Sequence, residues 1–167
     1  MSNRNVRVIR QKRPAAGPVG QRNLPLLMLR GREAVLQHFR PVFNRFDLTE
    51  QQWRILRFLS DEGEVEQRLL ARRCQILGPS LTNILSRLEE LDYVGRRRSA
   101  DDQRRVYVVL TTKGRRLIAA VAPFIAEQYR VIEARIGAGM MKELIAVLDR
   151  LLDVFEPEHA AEDDGGT

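Results

Sequence analysis

Residues 99–111 read SADDQRRVYVVLT, and the fold turns on what this stretch is for. Ser99 to Arg105 are turn residues and poor strand formers, whereas Val106 to Leu110 are rich in β-branched and aromatic types and read as a short strand. Thr111, whose hydroxyl can accept from an orphan amide, is placed to cap a following helix. Taken alone, the segment is a solvated hairpin tip, so its meaning comes from its flanks. On its N-terminal side Tyr93-Val-Gly-Arg-Arg-Arg98 makes a matching first strand. The two strands give an antiparallel hairpin with Ser99–Arg105 at its tip.

The segment before that hairpin, GPSLTNILSRLEELD at 78–92, is amphipathic. Leu81, Ile84, Leu85, Leu88 and Leu91 recur at helical spacing, while Ser80, Thr82, Asn83, Ser86, Arg87 and Glu90 face the other way. Every surface helix needs a wet face. Here, though, that face carries compact hydrogen-bonding side chains and one arginine, which suit base edges in a major groove. A shorter helix is predicted over Val65–Gln75, with Leu69, Leu70 and Cys74 on its inner side, and Gly78-Pro79-Ser80 as the turn and helix start that follow. Two short helices with a four-residue turn between them are laid out as a helix-turn-helix, and the hairpin directly after makes it winged. The candidate DNA contacts are Ser80, Thr82, Asn83, Ser86 and Arg87 on the recognition helix, with Arg97, Arg98, Gln103, Arg104 and Arg105 on the wing. Arg104 or Arg105 is expected to enter the adjacent minor groove, Arg96 to Arg98 to line the phosphate backbone, and Asp101 or Asp102 to pair with an arginine and shape the loop.

Working outward, Leu24 to about Phe46 has a helical apolar pattern that Pro41 should bend or interrupt. Thr49 and Gln52 then have the spacing of a capping box, and Trp53, Leu56 and Leu59 form a stripe widened by Ile55 and Phe58. Beyond Thr111 a long helix carries Leu117, Val121, Phe124, Ile125, Ile132 and Ile136, with a kink expected at Pro123. A last amphipathic helix spans 140–155 through Leu144, Leu148, Leu151 and Phe155. A small winged module needs neither the first nor the last helix. Either they complete a monomer core, or they are a dimerisation layer that sets two recognition helices about one DNA turn apart on an inverted repeat. The reading adopted is the second: a mainly α chain with a small β wing, an obligate homodimer through its N- and C-terminal helices. The divisions are a disordered basic tail at 1–22, a dimerisation helix at 23–47, the winged domain at 48–112, the long and last helices at 113–155, and a disordered acidic tail at 156–167.

Composition agrees with an anionic partner. The formal net charge is +6 and the pI about 10.2. Setting aside the six basic residues of the first 23 and the five acids of the last twelve leaves +5 for residues 24–155, so the body itself is basic. The basic tail either adds phosphate contacts or is simply solvated. One cysteine, Cys74, excludes a disulfide framework and reads as a small buried hydrophobe. With no membrane-length apolar run and no signal peptide, a cytoplasmic protein is expected. Two histidines, His38 and His159, and no phosphate loop argue against an enzyme, and no cofactor or metal site is expected.

The order of elements resembles the MarR family of bacterial transcription regulators. The likeness is carried by Asp102-Gln103-Arg104 followed by Val109-Leu110-Thr111 and Gly114, by LTEQQWRILRFL at 48–59, and by GPSLTNILSRLEELDYVGRRR at 78–98. Residues 23–41 and 48–53 are similar to family members that govern homoprotocatechuate breakdown. The resemblance implies a homodimer that represses nearby genes, here an aromatic catabolic operon, and releases DNA when a small aromatic carboxylate or phenol binds. Its implied effector contacts are Arg30 or Arg32 for a carboxylate, His38 for a phenol, and Phe39 and Trp53 to cover the ring. Asp92 departs from the glycine common at that position, and it tolerates left-handed geometry better than most residues. A non-aromatic effector, an architectural DNA-binding dimer and a pure interaction module are the alternatives.

Overall fold

The computed structural model describes residues 23–155, and both tails lie outside the described residues. Leu36 closes one compact unit and Gln37 opens a second. The first is, among the described residues, a single helix, α1 (Leu24–Leu36). The Asn23 side chain accepts from the Leu26 amide at 3.0 Å and so caps it. No side chain of α1 is buried.

The second unit begins with α2 (Arg40–Arg45). The helical pattern from Leu24 to about Phe46, which Pro41 is expected to bend or interrupt, is interrupted. Pro41 lies in the first turn of a new helix, where its missing N–H costs nothing. The next helix, α3 (Glu50–Glu62), has the expected capping box. Thr49 accepts from the Gln52 amide at 3.1 Å, and the Thr49 amide donates to Gln52 Oε1 at 2.9 Å. Ile55, Leu56 and Leu59 are buried, while Trp53, expected in that stripe, is half-buried.

The stretch from Val65 corrects the expected helix start. Val65–Glu66 is a strand, β1, and the helix α4 is shorter, Gln67–Arg73. Val65 pairs with Val108 and Glu66 with Tyr107, because a buried valine there completes the sheet that the hairpin begins. Leu69 is exposed, whereas Leu70 and Cys74 point inward as predicted. Residues 74–77 form the turn. Gly78-Pro79-Ser80 already belong to α5 (Gly78–Glu90), in which Leu81, Leu85 and Leu88 are fully buried. The hairpin is β2 (Val94–Arg98) and β3 (Val106–Leu110), and the sheet order is β1-β3-β2, all antiparallel.

Asp92, between α5 and β2, has φ +59°. Left-handed backbone costs an L residue roughly 1–2 kcal/mol, less for aspartate. Asp92→Gly is therefore expected to raise stability by about 0.5–1 kcal/mol, even after the greater freedom that glycine gives the unfolded chain. Chemical denaturation would show this as a higher midpoint at unchanged slope. An equal or lower midpoint would mean that the aspartate side chain does more than tolerate the turn.

Thr111 caps α6 (Thr112–Ile136), accepting from the Gly114 amide at 3.0 Å. The helix runs on through Pro123. Ile118, Val121 and Ile132 are its buried apolar residues. Leu117, Phe124, Ile125 and Ile136, expected in the stripe, are half-buried. Gly137, at φ +83°, ends it, and α7 (Ala138–Phe155) follows with no buried side chain. Among the described residues no helix is long and apolar enough to cross a membrane.

Candidate nucleic-acid interface

The recognition helix is held from below by its leucines and from the side by neighbours. On its outer side Ser80, Thr82, Asn83 and Arg87 are exposed and Ser86 is half-buried. Thr82 Oγ1 donates to the Gly78 carbonyl at 3.2 Å and accepts from Gln67 Nε2 at 3.2 Å, which ties α5 to α4. Arg87 pairs with Glu90 one turn on, at 2.9 Å. Arg54 of α3 donates to the Cys74 carbonyl at 2.7 Å and so fixes the turn between the two helices. Burial pushes the Cys74 thiol up, only partly offset by Arg54, which keeps it protonated and unreactive.

The strand period of two sends consecutive arginines of β2 to opposite faces. Arg96 points to the recognition helix, where it donates through Nε to Glu89 at 2.9 Å, through Nη2 to the same carboxylate, and to Ser86 Oγ at 3.4 Å. Those hydrogen bonds hold the Glu89 carboxyl below the usual carboxylate range. Arg97 points to the outer face and lies over the Tyr107 ring at 4.9 Å. It grips Glu64 with two hydrogen bonds, Nε to Oε1 at 2.7 Å and Nη2 to Oε2 at 2.5 Å. That grip lowers the Glu64 carboxyl and raises the Arg97 guanidinium. Arg105 reaches Glu66 of β1 at 3.2 Å.

Of the two loop acids, Asp102 serves the backbone rather than an arginine. Asp102 Oδ1 accepts from the Arg104 amide at 2.9 Å, and the Asp102 carbonyl accepts from the Arg105 amide at 2.9 Å. The expected pairing of Asp101 or Asp102 with an arginine is thus replaced by an Asx turn at the tip, and Glu66 takes the arginine. Arg98, Gln103 and Arg104 are exposed, and neither Arg98 nor Arg104 enters an ion pair among the described residues. A cleft of about 310 Å³ lined by Gln67, Arg68, Arg72, Gly78 and Arg104 opens between α4, the start of α5 and the wing.

The residues singled out for an effector fall in both units. Arg30 and Arg32 are exposed on α1. In the second unit His38 is half-buried and Phe39 buried. Phe39 stacks on Phe43 at 6.4 Å, and Phe43 meets Trp53 at 6.3 Å. Tyr129 of α6, which the sequence gave no reason to choose, meets Phe39 edge-on at 5.1 Å. Only a tertiary contact joins two positions ninety residues apart.

A helix-turn-helix followed at once by a β wing, with a polar outer helix face and exposed tip cations, defines a winged helix-turn-helix DNA-binding protein. Comparison with known proteins narrows the class. The MarR family model matches residues 46–105. The regulator FarR of Neisseria gonorrhoeae is 40% identical over 77% of this chain and 90% of its own length. The homoprotocatechuate degradative operon repressor of Escherichia coli is 41% identical over 78% of this chain and 88% of its own. Among solved structures, the transcriptional regulator PA4135 superposes with a TM-score of 0.78 at 40% identity, covering 80% of this chain and 98% of that one. NadR in complex with 4-hydroxyphenylacetate superposes at 0.71 with 36% identity, covering 83% and 97%. This chain belongs to the MarR family. It is a DNA-binding transcriptional regulator, a non-catalytic class.

Proposed function

We propose that the protein works as a homodimer that reads an inverted repeat, represses the adjacent genes, and lets go when a small aromatic acid or phenol binds. Ser80, Thr82, Asn83, Ser86 and Arg87 read the major groove. Arg98, Gln103 and Arg104 make the wing's contacts, with Arg97 and Arg105 beside them in ion pairs. The effector reading rests on one observation above others: the likeness, at 36% identity, to a regulator solved with 4-hydroxyphenylacetate bound. Relatives that repress homoprotocatechuate degradation point to the same chemical class and to an aromatic catabolic operon. Within the second unit His38 is the partner of a phenol. Phe39, Trp53 and Tyr129 supply an aromatic wall. Release requires that the ligand bind the unbound protein better than the DNA-bound form.

The test is binding of purified protein to its own upstream intergenic DNA and to random duplex at one salt concentration, repeated with 4-hydroxyphenylacetate. A footprint over an inverted repeat that the acid weakens is expected. Equal, weak binding to both DNAs would sink the operator reading at that site, and an acid-insensitive footprint would sink the effector class. Within this scheme Arg104→Ala should cost about 1–3 kcal/mol of operator affinity, a factor of roughly 5 to 150, with unchanged circular dichroism. Unaltered affinity would remove the tip from the interface.

A further inference from the structure

The wing of a DNA-binding protein is a poor place for a carboxylate, yet β1 and the residue before it bring two there. Glu66 sits in one row with Tyr107 and Arg97 across the three strands, and Glu64, two residues earlier, shares that face. Glu64 reaches past β3 to hold Arg97 in a two-pronged grip, with Tyr107 beneath the guanidinium. Both partners remain substantially exposed, at 57% and 35% of their side-chain surface, so the pair is open to competition by a phosphate. Stability alone is a weak reason for it, since exposed pairs contribute little to folding. Its clearer consequence is electrostatic: Arg97, like Arg105 beside Glu66, is neutralised by a fixed neighbour.

We propose that Glu64 is a specificity-determining residue, which withholds Arg97 from indiscriminate phosphate contact. This rests on the DNA-reading role above. On random DNA the complex samples many orientations held almost wholly by phosphate contacts, and any extra cation adds to them. On an operator the recognition helix fixes one orientation, and a cation on the outer sheet face gains less. Glu64 therefore lowers random binding more than operator binding and widens the ratio between them.

The experiment uses the full chain with Glu64→Gln, Arg97→Gln and the double variant, titrated onto a random-sequence duplex over a range of salt. Glu64→Gln is expected to tighten random binding about three- to fivefold and to steepen the salt slope by about 0.9, the amount for one added phosphate contact. In the double variant, gain and steepening should both vanish. The footprinted upstream site, measured in parallel, should gain no more than about half as much on a logarithmic scale, taking the slope as above. An unchanged random slope in Glu64→Gln overturns the proposal. So does a gain that survives in the double variant, because it would come from lost carboxylate charge rather than from Arg97. Equal gains on both DNAs also overturn it. If the parent protein fails to prefer the upstream site, the operator reading fails, and the random-duplex slopes still decide whether Glu64 withholds Arg97 from phosphate.

Discussion

Gly114→Ala is expected to destabilise the folded protein by about 3 kcal/mol, with a drop of roughly 6–12 °C in thermal midpoint at fixed protein concentration. The methyl group would lie 2.1 Å from the Tyr93 carbonyl oxygen and 3.2 Å from Leu110 Cδ2. The first contact is with backbone, so no rotamer change relieves it. That backbone is also committed. The Tyr93 carbonyl accepts from the Thr111 amide at 3.1 Å, the Asp92 carbonyl from the Thr111 hydroxyl at 2.6 Å, and the Leu91 carbonyl from Lys113 Nζ at 2.8 Å. Three successive carbonyls leaving the recognition helix are thus met by the start of α6. An alanine must push these apart, and with them the angle between recognition helix and wing. Operator affinity should fall further than the loss of folded protein accounts for. A midpoint within about 1 °C of the parent would show that the two segments do not approach so closely, since an overpacked methyl costs about 1–3 kcal/mol or more.

This knot explains why the opening stretch ends in Leu-Thr and is followed, three residues on, by glycine. It was legible in part. A cap is a local device, so Thr111 could be read from its neighbours, as could the Thr49–Gln52 box. The strand β3 was legible from its β-branched run, and Asp92 only against the glycine common at that position in the family. Gly114 was visible only as part of a family signature, because its cause, the Tyr93 carbonyl, lies 21 residues away. β1 was hidden for a similar reason: two residues have no period, and their partners are Tyr107 and Val108. The acid partners of the wing arginines were missed because an ion pair spanning 33 or 39 residues leaves no local trace. The opposite facing of Arg96 and Arg97, by contrast, follows from strand geometry alone. It explains why three consecutive arginines do not form one phosphate-lining row.

Leu148→Glu together with Leu152→Glu is expected to convert the protein to monomer and lower operator affinity by about a hundredfold or more, while random-DNA binding changes far less. Residues 145, 148, 152 and 155 of α7 recur at helical spacing, and all are large and apolar. Leu148 is 38% exposed, Leu152 49% and Phe155 75%, and α7 as a whole buries no side chain. Each such side chain gains about 1.5–3 kcal/mol when fully buried, so a helix of this composition left bare calls for a partner surface. On the proposed reading, that partner is a second copy of the chain. One recognition helix covers a half-site, and joining two makes the second contact intramolecular, with an effective concentration around millimolar. Breaking the dimer removes that advantage on an inverted repeat and leaves the electrostatics of each winged domain intact. Glutamate is a good helix former, so α7 itself should persist. Sedimentation gives the oligomeric state and anisotropy the two affinities. A dimer that survives both substitutions would put the interface elsewhere. A monomer with parental operator affinity would sink the inverted-repeat reading, because a lone winged domain would then be sufficient.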